Sequence, residues 1–307
     1  MDLKKLKTYS AKQRKTKVEI GSFAKPSHKN AAFRDFNDTL PDFLGATALK
    51  NTVAEIVKAK KAGKKIIWGF GAHLIKVGLS PLIIDLMKKG FVSAIATNGA
   101  GSIHDFELAT LGRTSEDVEE NLKTGMFGMV RETQTDMNEA ISRLADPAYE
   151  PRGLGWLVGQ KIREMKAPHR DLSLFYNAYE LDIPATVHVA IGTDTIHMSS
   201  KLDPRSLGEA SFHDFETLCS IIAELEGGVY LNIGSAVLLP EVFLKALTVA
   251  RNLGNKVKDF TTVNMDMLQH YRPHQNVLKR PGGKAYALTG HHEIMVPLLY
   301  RMILEEA

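Results

Sequence analysis

Cysteine is nearly absent. Cys219 is the single one in 307 residues, which excludes an internal disulfide framework and any zinc site built on paired cysteines. It lies in the run FETLCSIIAEL, whose apolar spacing predicts a helix with the thiol packed inside rather than reactive. No stretch of 18 apolar residues occurs, so no membrane-spanning helix is expected. The start, MDLKKLKTYSAKQRKTK, has no apolar segment behind its lysines and no small-residue cleavage site; a cytoplasmic location is the expectation. A GxSxG elbow, a Walker A string and an HExxH pair are also missing, which leaves serine-hydrolase, P-loop and zincin chemistry without support. The string GFGAHL lacks the third glycine of the dinucleotide fingerprint and is weak evidence taken alone.

What is present is ordinary for a folded chain, with 44% hydrophobic and 24% charged residues, enough for one large domain or two small ones. The formal charge of +4 is unevenly spread. Residues 1 to 26 carry eight Lys/Arg against Asp2 and Glu19, a net +6, and the rest of the chain sums to −2. A nucleic-acid binder needs a basic stripe across its folded body, so neither nucleic acid nor membrane is expected as a partner. Residues 1–44 read as a basic arm, either solvated or docked on a neighbouring subunit, and residues 45–307 as one domain.

From residue 46 helical and short apolar segments alternate. ATALKNTVAEIVKAKKAG predicts a helix closed by Gly63, KKIIWGFGA a strand, SPLIIDLMKKG a helix with Ser80 as N-cap and Pro81 at its first position, and FVSAIATNGAG the next strand. Later strands are expected in NAYELDIPATVHVAIGTD (ending at Gly192), GGVYLNIGSAV, KVKDFTTVN and GGKAYALTG, with a helix opened by Pro240 between the second and third of these. Consecutive strand, glycine loop, helix units predict an α/β fold: a three-layer, Rossmann-like parallel sheet of about six strands with helices on both faces.

In such a sheet ligands bind beyond the carboxyl ends of the strands, where loop amides and helix N-termini converge. Those ends carry Gly69, Gly71 and His73; Thr97 through Gly101, His104 and Asp105; Gly192, Asp194 and His197; Gly234 and Ser235; Asn264 and Asp266; and Gly290 through Glu293. Eight of the eleven histidines fall at or near them, so a metal-assisted hydrolase is an alternative, although no ligand spacing singles out a metal set. Several of these histidines are equally accounted for as turn caps or core hydrogen-bonders.

The run IIWGFGAHLIKVGLSPLIIDLMKKGFVSAIATNGAGSIHDFELA resembles the deoxyhypusine synthase family, and the likeness continues in order through SLFYNAYELDIPATVHVAIGTDTIHM, YLNIGSAVLLPEVFLKA, HYRPHQNVLKRP and YALTGHHEIMVPLLYRMI, roughly residues 45 to 305. The resemblance implies an NAD-binding domain in a homotetramer with sites at subunit interfaces. By carry-over Thr97, Asn98, Gly99, Ala100 and Gly101 cradle the cofactor, and Asp194 bonds its adenosine ribose. The basic arm is similar to a family segment that covers a neighbour's site. The implied reaction is NAD-dependent transfer of an aminobutyl-type group from a polyamine such as spermidine, by oxidation, imine formation on a lysine, and reduction.

The sequence departs from that family at the amine end. Ile103 and His104 stand where the family has two glutamates, and Pro281 falls at its lysine. Lys279 is then the imine candidate, His104 and His291 are candidate proton carriers, and Asp105, Glu241, Asp266 and Glu293 are candidates for anchoring a small cationic amine. The expectation is a divergent, deoxyhypusine-synthase-like transferase that does not make deoxyhypusine. A non-catalytic NAD-binding protein on the same fold is the other alternative.

Overall fold

Each segment expected to be extended forms a strand: β1 Ile66–Phe70, β2 Ala94–Asn98, β3 Ala185–His188, β4 Val229–Ile233, β5 Thr261–Asp266 and β6 Lys284–Thr289. The structure is a computed structural model describing residues 1–307. It divides into two units, Met1–Thr47 and Ala48–Ala307, where the sequence suggested a boundary after residue 44. The first unit holds three short 3₁₀ turns and the helix Phe33–Thr39, with Phe23 against Phe43 at 6.3 Å between ring centroids.

In the second unit all six strands run parallel in the order β3-β2-β1-β4-β5-β6. This is the doubly wound order. Right-handed crossovers then send the connections on the β1 to β3 side to one face and those after β3, β4 and β5 to the other. The core follows that division. Ile67, Ala94, Ala96 and Tyr230 face the helices Pro204–Ala223 and Leu238–Asn252 and the π-helical turn His274–Lys279, where Tyr230 and Phe243 stack at 3.9 Å. Cys219 is buried in this layer, which pushes its thiol up to about 11. On the other face Trp68, fully buried, donates its indole N–H to Phe91 O at 3.0 Å. Each such large side chain contributes about 2 kcal/mol by burial alone.

Local signals missed by a few residues in places. Ser80 is the first helical residue, not the cap; Leu79 precedes it, and Pro81 sits in the first turn of Ser80–Lys88. The helix after β4 begins at Leu238, so Pro240 lies within its first turn, where its missing N–H costs nothing. β3 stops at His188, and Gly192 lies in the turn that follows, closed by Thr193 N on Ala190 O at 3.0 Å. No helix is long and apolar enough to cross a membrane.

His188 gives the fold a pH dependence. It is 4% exposed at the end of β3, bonded through Nε2 to Thr186 Oγ1 at 3.1 Å, and burial pushes it down to about 4. The unfolded chain binds this proton more readily, so its contribution is complete above about pH 6.5 and is lost as pH falls toward 4, about 3 kcal/mol in all. His188→Gln is expected to flatten the fall of Tm across that window. An unchanged acid profile in the variant would show that other groups set it.

Candidate functional site

The carboxyl ends of the six strands share one rim, and its switch point lies between β1 and β4, the strands from which the chain winds in opposite directions. There the Gly71 amide, just past β1, donates to Ile233 O at 2.9 Å and ties the two loops together. Two groups of functional side chains flank this seam.

On the β2 side a cavity of about 530 Å³ opens between the helix Gly99–Leu111, the loop after β3 and the segment 111–130. Ala100, Ile103, His104, Glu107 and Leu111 recur at helical spacing and form one wall. His104 Nδ1 lies 2.7 Å from Thr114 Oγ1, and that hydroxyl gives its only proton to Glu107 Oε2. The imidazole must therefore carry its hydrogen on Nδ1, which leaves the Nε2 lone pair free in the cavity wall. Glu107 Oε1 accepts a further hydrogen bond from Thr133 Oγ1 at 3.0 Å. Burial, helped by the Lys76 ammonium, pushes His104 down to about 4, so it stands neutral at pH 7. Glu116 pins the far wall by accepting from Gly128 N at 2.7 Å and Asn121 Nδ2 at 2.5 Å.

The opposite stripe of the same helix is structural. Ser102, Asp105, Phe106 and Ala109 point inward at i, i+3, i+4 and i+7. Asp105 is 1% exposed and accepts Ser173 Oγ at 2.5 Å, Leu174 N at 2.7 Å and Phe175 N at 3.3 Å. It caps the helix Leu174–Glu180, so the expectation that it anchors an amine is corrected: no oxygen is left for a ligand to reach. Burial still raises it to about 6 against those three hydrogen bonds.

The expected cofactor cradle at β2 is also spoken for. Thr97 is buried and donates to Phe70 O at 2.8 Å, while Asn98 Oδ1 caps the helix by accepting Gly101 N at 2.9 Å. Asp194 lies against Gly99, where a Cβ would overlap its carboxylate, and its Oδ2 is buried without a hydrogen-bond partner, 3.7 Å from His197 Nε2. A carboxylate thus sits beside the helix N-terminus that a phosphate would use. Its burial pushes it up to about 6.

The β4 to β6 side is different. The loop Gly234–Val237 leads into Leu238–Asn252, whose N-cap residue Val237 offers no side-chain bond; Ser235 Oγ accepts Leu239 N at 3.2 Å. His292, 1% exposed, stands over Gly234, which has φ +67° and no room for a Cβ. His292 Nε2 lies 3.3 Å from Met265 O and so carries the hydrogen, leaving Nδ1 buried and unpartnered. Its ring centroid is 5.5 Å from that of His73. Asn232 Oδ1 is likewise buried without a partner.

The remaining expected residues do not converge on the cavity. His291 is exposed, 3.9 Å from the equally exposed Glu293. Asp266 is 7% exposed at the end of β5, its Oδ1 accepting Met267 N at 2.8 Å. Glu241 is held by Lys245, by Arg272 at 3.3 Å and by Asn276 at 2.8 Å, which keep its carboxyl below the usual range. Lys279 is exposed at the end of the π-helical turn. No group of three or more His, Cys, Asp or Glu is placed to hold a metal ion. Sequence reasoning missed Lys76, Glu107, Arg113 and Thr114 in the cavity; the helical spacing of His104 and Glu107 was the available signal, whereas Thr114 joins them only through a loop.

No protein-family model matches the chain, and no curated protein matches its sequence. Solved structures do match. A protein of Entamoeba histolytica assigned as a deoxyhypusine synthase superposes with a TM-score of 0.57 at 13% identity, covering 90% of this chain and 94% of that one. A conserved protein of Methanococcus maripaludis S2 assigned as LOR/SDH gives 0.55 at 15% identity over 84% of this chain and 68% of its own. AgrE in complex with ornithine and NAD+ gives 0.51 at 14% identity over 84% of this chain and 33% of AgrE, so the chain spans about a third of that protein. At these identities the likeness is one of fold: the chain has a divergent, deoxyhypusine-synthase-like α/β fold built on a six-stranded parallel sheet.

Proposed function

We propose that this chain is an NAD-dependent enzyme that oxidises an amine at the carbon bearing nitrogen, with His104 as its proton carrier. The observation that carries the reading is the free Nε2 of His104, held in one tautomer by Thr114 and Glu107 in the wall of a cavity beside the strand ends. Support for the cofactor comes from the doubly wound strand order and from the β4 loop. The helix N-terminus behind this loop, where the N-cap residue Val237 makes no side-chain bond, fits an anionic diphosphate held by the backbone amides of Ser235 to Leu238. Arg272 and Lys245 already neutralise Glu241, the acid in that helix's first turn. AgrE, on the same fold, binds NAD+ together with ornithine.

NAD, when bound, supplies the hydride acceptor. The substrate loses a C–H bond as hydride and an N–H proton, and the C–N bond becomes C=N. His104 Nε2 receives that proton, Thr114 and Glu107 hold the ring in position, and Ile103, Phe127 and Val130 give the cavity an apolar lining. The finer reading, transfer of an aminobutyl-type group from spermidine through an imine on Lys279, requires that lysine to serve the cavity of another copy in an oligomer such as a tetramer. In its own chain it is not among the cavity-lining residues. The test is to load the protein with NAD+, add amines while following NADH fluorescence, and trap with borohydride. NADH formation is expected, and an adduct on a Lys279 peptide would add the transfer step; no NADH from any amine would sink the oxidative reading.

A further inference from the structure

We infer that the substrate entering the 530 Å³ cavity carries a carboxylate as well as an amine, an amino carboxylate rather than a polyamine. This rests on the reading of the cavity as the site of amine oxidation. Five charged side chains line it: Lys76, Glu107, Arg113, Glu116 and Asp194. Glu107 accepts from Thr114 and Thr133 and Glu116 from Gly128 and Asn121, while Asp194 is 7% exposed and its unpartnered Oδ2 is buried, 3.7 Å from His197 Nε2. Lys76 and Arg113 are the reverse case, exposed at the cavity and engaged by no carboxylate of the chain. The unpaired charged groups exposed to a ligand are therefore the two cations.

A polyamine would bring cations against two unpaired cations, with Glu107 and Glu116 already hydrogen-bonded and the unpartnered Asp194 Oδ2 buried. A carboxylate would pair with Lys76 and Arg113, the guanidinium offering a two-pronged contact. Its apolar stem would lie along Ile103, Leu111, Phe127 and Val130, leaving the amine for His104. A carboxylate on Lys76 would also remove the cation that helps suppress the basicity of His104. Substrate binding then strengthens the base as it arrives.

Two ligand pairs that differ only by one carboxylate test this: L-ornithine against putrescine, and L-lysine against cadaverine, titrated calorimetrically into wild type and into the Lys76→Gln/Arg113→Gln double variant. In wild type at least one amino acid is expected to bind about tenfold or more tighter than its diamine. The double variant, whose changed side chains are exposed, is expected to melt as wild type and to lose that preference. Equal or tighter binding of both diamines overturns the inference, as does a preference that survives in the double variant or an absence of binding by both amino acids. NAD+ titrated alone separates the levels: uptake of NAD+ with diamines preferred overturns the carboxylate alone, and no uptake overturns the parent reading.

Discussion

Asp105→Ala is expected to lower stability by about 4 kcal/mol, a fall in Tm of about 10 °C, because it strands three donors inside the protein. Ser173 Oγ, Leu174 N and Phe175 N all end on this one carboxylate, and water cannot replace it at 1% exposure. Asp105→Asn keeps the shape and part of the acceptor capacity and should fall between. Thermal melts decide the matter. A variant that melts as wild type but binds amines more weakly would return Asp105 to the role the sequence suggested.

His104→Ala should have the largest effect on turnover, a fall in kcat of about 10²- to 10³-fold, the usual size for removal of a general base. NAD+ affinity should be unchanged, since the diphosphate is assigned to the β4 loop on the other side of the switch point. Thr114→Val and Glu107→Ala act only through the imidazole, so their losses should be smaller and Glu107→Gln should recover part of the activity. The pH profile carries a sign. The base works when neutral, and with His104 pushed down to about 4 the acid limb of kcat/KM should lie near pH 4 rather than 6.5. A limb at the ordinary histidine value would mean that another group takes the proton.

Every strand was legible from the sequence because each is a local pattern, a short apolar run closed by glycine or a small polar residue. The site was legible only in outline. Locally, Asp105 after a glycine-rich turn reads as a ligand-facing acid, yet its partners lie about seventy residues away, at 173 to 175. Its place on the Ser102, Phe106 and Ala109 stripe was the clue that it points inward. Thr97 to Gly101 likewise gave the loop but not the carboxylate of Asp194 that arrives after β3 to lie against Gly99. Adjacent residues at a helix start cannot both face one way, and the packing against Gly234 shows that His292, not His291, is the inward one.

The central claim is that a dinucleotide binds across the rim with its diphosphate on the β4 loop. It is tested most directly by calorimetric titration of NAD+ into wild type and Ala236→Asp, which sets a carboxylate beside the N-terminus of Leu238–Asn252 without altering the β2 end. The expected result is one NAD+ per chain for wild type and a loss of about tenfold or more in the variant, with both proteins melting alike. No uptake by wild type, or equal uptake by the two proteins, would contradict the account.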